Sequence, residues 1–486
     1  MFFTLVAVCL VLLVIYHSWR RLQYKNLPPG PTPLPVIGNL VCMKENNVFL
    51  TFRELRAKYG DVFTLHIGNT VTIVFNGYST LREAFVQHGD SFSDRPDIFI
   101  FKDISKHYGI AGSSGELWKE HRAFALATLR EFGFGKRSLE SKIMEEIEAY
   151  LPCLEEKKGE PFNIHALTQT SVSNVICSIV FGQRFEYKDE RFTKLMEMFD
   201  ANFKLMNPIL NFLPFLQHIP GDPFKGKQVL RNADAVYDFI WELVQEHDNS
   251  LDDTYVRDYI DAYLKEKKKR QSDKSNTFTD VQMLRSIGDL FSAGTETTTT
   301  SIRWAVLFLL HNPDVKERMV AEIHDVVGTS RFPNLGDKEN MPYSEAVVTE
   351  VIRKANVAPL GVPHGCNTDV EFRGYIIPKG AVLLLNIDSV LFDPKEFPNP
   401  EKFDPSRFLN ENGKFFRHEV FAAFSVGRRA CLGETLARME LFLYLTTILQ
   451  RFDLVPEHAD CLPSLKGILG VTHTPRPFNV RLVSRQ

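Results

Sequence analysis

The loop around Cys431 constrains this chain more than any other segment. Residues 424–433 read Phe-Ser-Val-Gly-Arg-Arg-Ala-Cys-Leu-Gly, which is the pattern F-x-x-G-x-R-x-C-x-G. An amphipathic helix is predicted to follow directly, over Leu432 to Phe452, and the dipole and free N–H groups at its start favour a thiolate. A thiolate held in a tight loop and shielded from water is suited to bind iron, so we expect Cys431 to be a metal ligand.

Other residues of the loop have expected roles around that ligand. Gly427 permits a turn with positive φ, and Gly433 permits close approach of the following backbone. Arg429 can pair with a carboxylate of the bound group, and Phe424 can cover the sulfur. The alternative is that Cys431 is an ordinary buried cysteine before a helix, and the surrounding pattern argues against it.

The composition excludes several classes of site and partner. The seven cysteines are scattered, odd in number and without a C-x-x-C pair, so we expect neither a disulfide framework nor a zinc site. That pattern fits a reducing compartment. The formal net charge is -3, which does not indicate nucleic acid as a partner.

The N-terminus predicts a membrane anchor. Residues 1–16 are almost wholly apolar and the first charge is Arg20, so residues 1–19 are about long enough to cross a ~30 Å hydrocarbon layer as a tilted helix. Basic residues follow the apolar run instead of preceding it, which favours an uncleaved anchor over a secretory signal and places the rest in the cytosol. We expect a basic, proline-rich hinge over residues 20–39 and one catalytic domain over residues 40–486.

Periodicity over the body predicts a mainly α fold with small β-sheets. A hairpin is expected from Val62 to His66 and from Val71 to Phe75, around Gly68-Asn69. Short strands are expected between residues 372 and 386 and near the C-terminus. The charged run 265–274 is interpreted as a solvated loop, with a nuclear signal or nucleic-acid patch as the alternative.

A long helix is predicted from Thr279 to His311. From Ala293 onward its centre reads Ala-Gly-Thr-Glu-Thr-Thr-Thr-Thr, and glycine and β-branched threonine are poor helix formers, which suggests a functional reason for them. Ala293 and Gly294 leave room for a flat ligand, while Glu296 and Thr297 supply an acid and a hydroxyl for proton transfer. A strained, polar-lined helix without chemistry is the alternative.

The cysteine loop resembles the haem-binding signature of cytochromes P-450, especially their microsomal family 2 branch. The segment from Ala293 to Thr300 resembles the distal-helix motif of that family, and the motifs follow one another in the family's order. The resemblance runs from the anchor to the C-terminus. It implies the cytochrome P-450 fold, with haem between the long distal helix and the helix that follows the cysteine. Ala423 departs from it, since many relatives carry proline there.

The resemblance also implies a structural ion network. Glu350 and Arg353 match the family's E-x-x-R motif and share one face of a helix. Arg407 matches the third partner, although Ser406 replaces a glutamate that is common beside it. Removing one partner of such a buried network is expected to destabilise the fold by several kcal/mol, since roughly 3–5 kcal/mol is typical.

Three further residues are assigned to the haem propionates by the same resemblance. Trp118 and Arg122 match a W-x-x-x-R pair, whose one-turn spacing aims both side chains at a propionate. His364 matches a position that contacts the other propionate. A hydrogen-bonded core histidine without a ligand is the alternative for His364.

The implied activity is that of a monooxygenase that inserts one oxygen atom from O2 into a xenobiotic, steroid or fatty acid. Its cofactor would be haem b (iron protoporphyrin IX) with the Cys431 thiolate as the axial ligand. The protein would lie in the endoplasmic reticulum membrane. Because the chain has no flavin or nicotinamide motif, the implied partners are NADPH–cytochrome P-450 reductase and cytochrome b5. The alternatives are a haem-thiolate isomerase or dehydratase, which needs no external electrons, and a non-enzymatic haem sensor or carrier.

Two kinds of surface complete the expectations. A basic face for the reductase is expected at Lys119, Lys414, Arg417 and Arg428. Contacts to a hydrophobic substrate are expected from the distal helix and from segments 99–108, 205–216 and 358–362, which are largely apolar.

Overall fold

The computed structural model describes most of the chain after residue 25. The described ranges are 26–34, 37–42, 48–133, 137–206 and 209–485, with single positions between 4 and 16. Within them, no helix combines the length and the apolar character that a bilayer crossing requires. The anchor expected over residues 1–19 falls largely outside the described residues, as does the basic part of the hinge.

Helices dominate the described chain, as the periodicity predicts. They are α1 Val48–Tyr59, α2 Tyr78–Arg82, α3 Gly109–Gly112, α4 Gly115–Glu131, α5 Arg137–Glu155, α6 His165–Val180, α7 Glu190–Leu205, α8 Ile209–Phe212, α9 Gly226–Asn249, α10 Tyr259–Lys269, α11 Asp280–His311, α12 Pro313–Val326, α13 Pro342–Ala355, α14 Asp388–Leu391 and α15 Glu434–Arg451. Short π-helical turns lie at Glu83–Gln87 and Ile100–Ile104, and 3-10 turns at Leu40–Cys42, Pro214–His218, Leu335–Asn340 and Pro405–Phe408.

The strands form small sheets at the edges of the helical body. They are β1 Val62–Ile67, β2 Thr70–Asn76, β3 His364–Gly365, β4 Val370–Phe372, β5 Tyr375–Ile377, β6 Val382–Asn386, β7 Phe452–Pro456, β8 Gly467–Leu469, β9 His473–Pro475 and β10 Val480–Ser484. One sheet has the order β1-β2-β6-β3, and the other strands pair as β10-β7, β4-β5 and β8-β9. The predicted hairpin is confirmed, because β1 and β2 pair antiparallel across the Gly68-Asn69 turn.

Local sequence explains the bounds of α11, the long helix that was predicted. The Thr279 side chain accepts a hydrogen bond from the Gln282 N–H (3.2 Å) and caps the first turn. The helix ends at His311, and Pro313 begins α12 at a position where its missing N–H is not needed. α11 packs against α6, α13 and α15, so its centre lies inside the fold.

Two chain segments have contacts or bounds that the sequence did not predict. The proline-rich segment is already attached to the body: Pro28 and Pro29 carbonyls accept hydrogen bonds from Thr64 in β1 (2.7 and 2.9 Å). The run 265–274 is only partly a loop, since α10 continues to Lys269. The helix is stabilised because it buries an apolar face that includes Tyr259 and Ile260. The charge composition of the run does not reveal that face.

Candidate active site

The cysteine loop is held by its own backbone. The Cys431 N–H donates to the Phe424 carbonyl (2.9 Å) and the Ala430 N–H to the Gly427 carbonyl (3.1 Å), so the chain folds back on itself before α15. Gly427 has a φ of 80°, and a Cβ there would overlap the Phe85 carbonyl oxygen. Both features require glycine at this turn.

The Cys431 thiol faces an internal recess. Its side chain has accessible surface, yet burial among protein atoms raises the pKa of the thiol. The Gly433 N–H and the Arg122 charge oppose that rise by stabilising the thiolate. A group that is accessible but strongly desolvated lies on the wall of a recess rather than on the outer surface.

Gly433 keeps the space beside the sulfur open. Its two chain neighbours aside, a Cβ on Gly433 would lie 4.0 Å from the Cys431 sulfur and would meet no nearer atom of the described residues. The close approach of the following backbone at Gly433 stays a prediction.

The centre of α11 provides an accessible face within the core. Ala293 is exposed although most of the residues around it in the helix are buried. The Thr297 hydroxyl donates to the Ala293 carbonyl (2.7 Å), a back-bond of the kind that bends helices. A Cβ on Gly294 would collide with the Ile176 side chain in α6, so packing against α6 is one reason for this glycine. Its expected role in leaving room for a flat ligand stays a prediction.

Ile110 in α3 links α11 to the cysteine loop. Its N–H donates to the Asp289 carboxylate in α11 (2.7 Å), and its carbonyl accepts from the Arg429 guanidinium (3.3 Å). Burial raises the pKa of Asp289 to about 6, although two backbone N–H groups oppose the shift. The exposed face of α11 and the cysteine loop therefore border the same region of the interior.

Glu296 and Thr297 have separate partners. The Glu296 Oε1 atom accepts hydrogen bonds from the hydroxyls of Thr300 (3.2 Å) and Thr472 (3.0 Å). Its Oε2 atom is enclosed and has no partner among the described residues. Burial raises the pKa of Glu296, so the side chain retains a proton more readily than an exposed glutamate.

Arginines crowd the region next to the cysteine loop. Arg122 donates to the Ala430 carbonyl (2.6 Å). Arg429 donates to the carbonyls of Ser93 (2.8 Å), Ile110 (3.3 Å) and Ser113 (2.6 Å). A guanidinium has five N–H donors, so these bonds leave Arg429 with donors for a further acceptor. Burial, together with repulsion by neighbouring arginines, lowers its pKa to about 8.

Arg95 is a third member of this cluster that sequence reasoning did not assign. It donates to the carbonyls of Ala111 (2.8 Å) and Pro363 (2.7 Å). Burial and the charge of Arg122 lower its pKa to about 9. Its sequence signal is that residues 92–96, Phe-Ser-Asp-Arg-Pro, also resemble the cytochrome P-450 family.

Trp118 lies beside this cluster with an unused donor. Its ring faces the Arg429 guanidinium, whose carbon lies 3.9 Å from the ring centroid. Its indole Nε1 is enclosed and has no acceptor among the described residues. A buried indole N–H normally finds a partner, so this one is positioned for a ligand oxygen.

His364 is buried and already hydrogen-bonded. Its Nδ1 lies 2.7 Å from the Phe92 carbonyl, which can only accept, so Nδ1 carries the proton. Burial and the nearby charges of Arg95 and Arg429 lower the pKa of His364 well below its usual value. The neutral ring therefore offers an acceptor at Nε2, and it can donate to an anion there only after gaining a second proton.

The residues of the expected ion network lie together behind the site. Glu350 and Arg353 in α13 are fully buried and form two hydrogen bonds of 2.7 and 2.8 Å. Arg407 lies 3.6 Å from Glu350 Oε1, and the Asp404 N–H donates to the same oxygen (2.9 Å). The network thus ties α13 to the 3-10 turn that precedes the cysteine loop.

Comparison with known proteins identifies the family. The family model described as Cytochrome P450 matches residues 28–482. The chain belongs to the cytochrome P450 family. It is 42% identical to Cytochrome P450 2C8 of Homo sapiens and 41% identical to Cytochrome P450 2C3 of Oryctolagus cuniculus, in each case over 93% of both chains. It is 41% identical to Cytochrome P450 2H1 of Gallus gallus over 99% of this chain and 98% of the relative.

Membership of the cytochrome P450 family makes the chain a haem-thiolate monooxygenase with the mainly α fold of that family. The residues around the cysteine loop fit such a group. Haem carries two propionates, and the crowded arginines together with the unused Trp118 donor call for anionic oxygens in this place. The space beside the Cys431 sulfur would admit the iron of such a group.

Proposed function

We propose that this cytochrome P450 inserts one oxygen atom from O2 into a lipophilic substrate, with Cys431 as the thiolate ligand of haem b. The observation that carries the proposal is the accessible Cys431 sulfur on the wall of the recess, beside a cluster of arginines. When bound, the haem supplies the oxygen-activating chemistry, which a thiolate ligand favours. The Cys431 thiolate would be stabilised by the positive charge of the iron, which would offset the raised pKa of the thiol.

The propionates would be held by Trp118, Arg122 and Arg429. The Trp118 N–H and the remaining Arg429 donors point to this role, and Arg122 adds charge beside Cys431. We add Arg95 to this set because its charge acts on the same region. His364 would contact a propionate only with its ring protonated at both nitrogens, which an adjacent anion favours.

Proton transfer would use Glu296 and Thr297. The raised pKa of Glu296 keeps a proton on its carboxyl, and its Oε2 atom has no competing protein partner in the described chain. Thr297 holds a hydroxyl proton next to Ala293 on the accessible face of α11. Because their present hydrogen bonds differ, transfer between them requires a water or a side-chain rotation.

The substrate class is proposed from an apolar cluster that two of the expected substrate segments share. Phe99, Leu210 and Val229 pack together, with Leu205 and Leu216 against them, so two of the expected substrate segments meet. Such walls favour a hydrophobic xenobiotic, steroid or fatty acid. Difference spectra of the ferric holoprotein with a panel of lipids, steroids and drugs would identify which class enters.

Electrons are proposed to come from NADPH–cytochrome P-450 reductase, with cytochrome b5 as a second donor, at the endoplasmic reticulum membrane. The expected basic docking face is of mixed charge, because three of its cations already have partners. These pairs are Lys119 with Glu116 (2.6 Å), Arg417 with Glu434 (2.5 Å) and Arg428 with Asp90 (2.5 Å). Docking of an acidic partner would have to compete with these exposed pairs, which are individually weak.

A reconstitution experiment tests the proposal. Product should form only when the holoprotein, NADPH, the reductase and O2 are all present, which separates a monooxygenase from a haem isomerase or sensor. The reduced protein with carbon monoxide should show the red-shifted Soret band of thiolate ligation, and Cys431→Ser should abolish it. An unchanged band in that variant would overturn the ligand assignment.

Thr297→Ala provides the test of proton transfer. We expect the variant to consume NADPH at a comparable rate but to release peroxide in place of most of the product. Alanine has no hydroxyl and therefore cannot supply a proton to O2 in the site. General acid–base groups contribute about 100-fold or more to a rate. Fully coupled turnover by the variant would contradict the assigned role.

A further inference from the structure

A second buried carboxyl lies between the two helices that border the site. Glu440 in α15 has no exposed surface, and its Oε2 atom accepts a hydrogen bond from the Thr298 hydroxyl in α11 (3.1 Å). Its Oε1 atom is enclosed and has no partner in the described part of the chain. This contact joins the helix that follows Cys431 to the residue next to Thr297.

Thr298 is unusual among the hydroxyls of this turn. The neighbouring Thr297 and Ser301 hydroxyls bond back to carbonyls of their own helix, those of Ala293 (2.7 Å) and Thr297 (2.8 Å). Thr298 instead uses its proton in a bond to another helix. The direction of that bond depends on whether Glu440 carries a proton, because an ionised carboxylate can only accept.

The surroundings of Glu440 favour its neutral form. Burial raises its pKa to about 8, and the hydrogen bond from Thr298 opposes the rise. No ion pair to Glu440 occurs among the described residues. Tyr444 on the same helix interacts electrostatically with Glu440, and Tyr150 and Glu146 of α5 act in turn on Tyr444.

We infer that Glu440 is a positioning residue that controls the α11 turn carrying Thr297 through its hydrogen bond with Thr298. When Glu440 is neutral, its O–H can donate to the Thr298 oxygen, and the Thr298 hydroxyl is then free to bond back to the Gly294 carbonyl. When Glu440 is ionised, Thr298 must donate to the carboxylate and that back-bond is lost. Because back-bonds of this kind open a helix, protonation of Glu440 changes the geometry beside Thr297.

The inference rests on the proposed monooxygenase function, but it can be tested without turnover. The substrate-free holoprotein is titrated from pH 6 to pH 10 while the infrared band of a protonated carboxyl is followed. We expect a band that disappears with a midpoint near pH 8 in the wild type and is missing in Glu440→Gln. Absence of any such titrating band in the wild type would overturn the inference.

Thr298→Val and Thr299→Val form a matched pair that keeps the test independent of how well Glu440→Gln folds. Removing the Thr298 hydroxyl takes away the bond that stabilises the carboxylate, so the midpoint should rise. The Thr299 hydroxyl is buried and unpartnered in the described structure, so Thr299→Val should leave the midpoint unchanged. Equal midpoints in the two variants would contradict the assigned contact.

Turnover provides the functional arm. The neutral fraction of a group with a pKa of about 8 falls about tenfold from pH 7 to pH 9. Product formed per NADPH should fall over that range in the wild type and stay nearly constant in Glu440→Gln, whose amide imitates the neutral acid. If the product formed per NADPH fell with pH in Glu440→Gln as it does in the wild type, the inference would be overturned. Absence of product in the wild type would instead overturn the monooxygenase proposal, and the infrared midpoints would still decide whether Thr298 controls Glu440.

Discussion

Arg95, Arg122 and Arg429 lie so close to the cysteine loop that each acts on the charge of another. Repulsion of this kind contributes, after burial, to the lowered pKa values of about 9 for Arg95 and about 8 for Arg429. Backbone carbonyls satisfy several of their donors but provide no net negative charge. A dianionic ligand in this place would relieve the repulsion, so the residues themselves favour binding of a group with two carboxylates.

For these residues around the cysteine loop, we predict that Trp118→Phe weakens haem retention with little effect on the fold. Phenylalanine keeps an aromatic ring for Arg429 to face but removes the unused Nε1 donor. Loss of one hydrogen bond to a charged group typically costs about 1.5–3 kcal/mol, so haem should dissociate roughly tenfold to a hundredfold faster. The rate is measured by transfer of haem to apomyoglobin.

Trp304→Phe is the matched control. The Trp304 indole in α11 already donates a hydrogen bond to the His473 carbonyl in β9 (2.9 Å). Its loss should lower overall stability without a specific change in haem dissociation. Equal haem dissociation rates in the wild type and Trp118→Phe would contradict the role of the Trp118 donor.

Among the elements, α13 is stabilised by buried charge as well as by apolar packing. The Glu350–Arg353 pair is completely enclosed, and Arg353 also donates to the carbonyl of Leu391, the last residue of α14 (2.8 Å). These bonds tie α13 to the segment leading to the cysteine loop. A helix held in this way is sensitive to removal of one partner, because the other charge remains buried.

We predict that Glu350→Gln destabilises the protein by about 3–5 kcal/mol, since it leaves the Arg353 charge without its partner. The measurement is the urea midpoint of the holoprotein, followed by circular dichroism. Glu116→Gln breaks an exposed pair with Lys119 at the same i, i+3 spacing and should change stability by less than about 1 kcal/mol. Similar losses in both variants would be incompatible with a special role for the buried pair.

Over the whole molecule, a contact between α9 and the segment before α10 is expected to contribute to stability. His247 near the end of α9 is buried, with Nδ1 2.7 Å from the Leu243 carbonyl and Nε2 2.9 Å from the Asp258 carboxylate. Both ring nitrogens face acceptors, so the protonated ring can donate a hydrogen bond from each of them. Burial alone lowers the pKa of His247, but the hydrogen bond and charge of Asp258 outweigh it and the net pKa is raised.

This contact predicts a specific pH dependence. Because the folded pKa of His247 lies above the unfolded value of about 6.5, its contribution is fully present below that pH and is lost as pH rises through the folded pKa. His247→Gln should therefore lower stability most in acid and progressively less as pH rises. Urea midpoints of both proteins from pH 5 to pH 9 test this, and a constant difference would rule it out.

The sequence alone determined the features that depend on neighbouring residues. The long helix, the β1–β2 hairpin and the mainly α fold follow from periodicity, capping and turn chemistry, which act within a few residues. The cysteine pattern, read with the distal-helix motif, was sufficient to indicate the family. Its candidate residues come from the same local patterns and remain proposals.

Only the tertiary structure decided which distant groups meet. Arg95 donates to the Pro363 carbonyl, which lies far along the chain, and a Cβ on Gly294 would collide with Ile176 of α6. The Thr298–Glu440 contact joins two helices that no spacing rule connects. Burial, charge repulsion and hydrogen-bond direction at these positions depend on neighbours far apart in the chain, so no local pattern could reveal them.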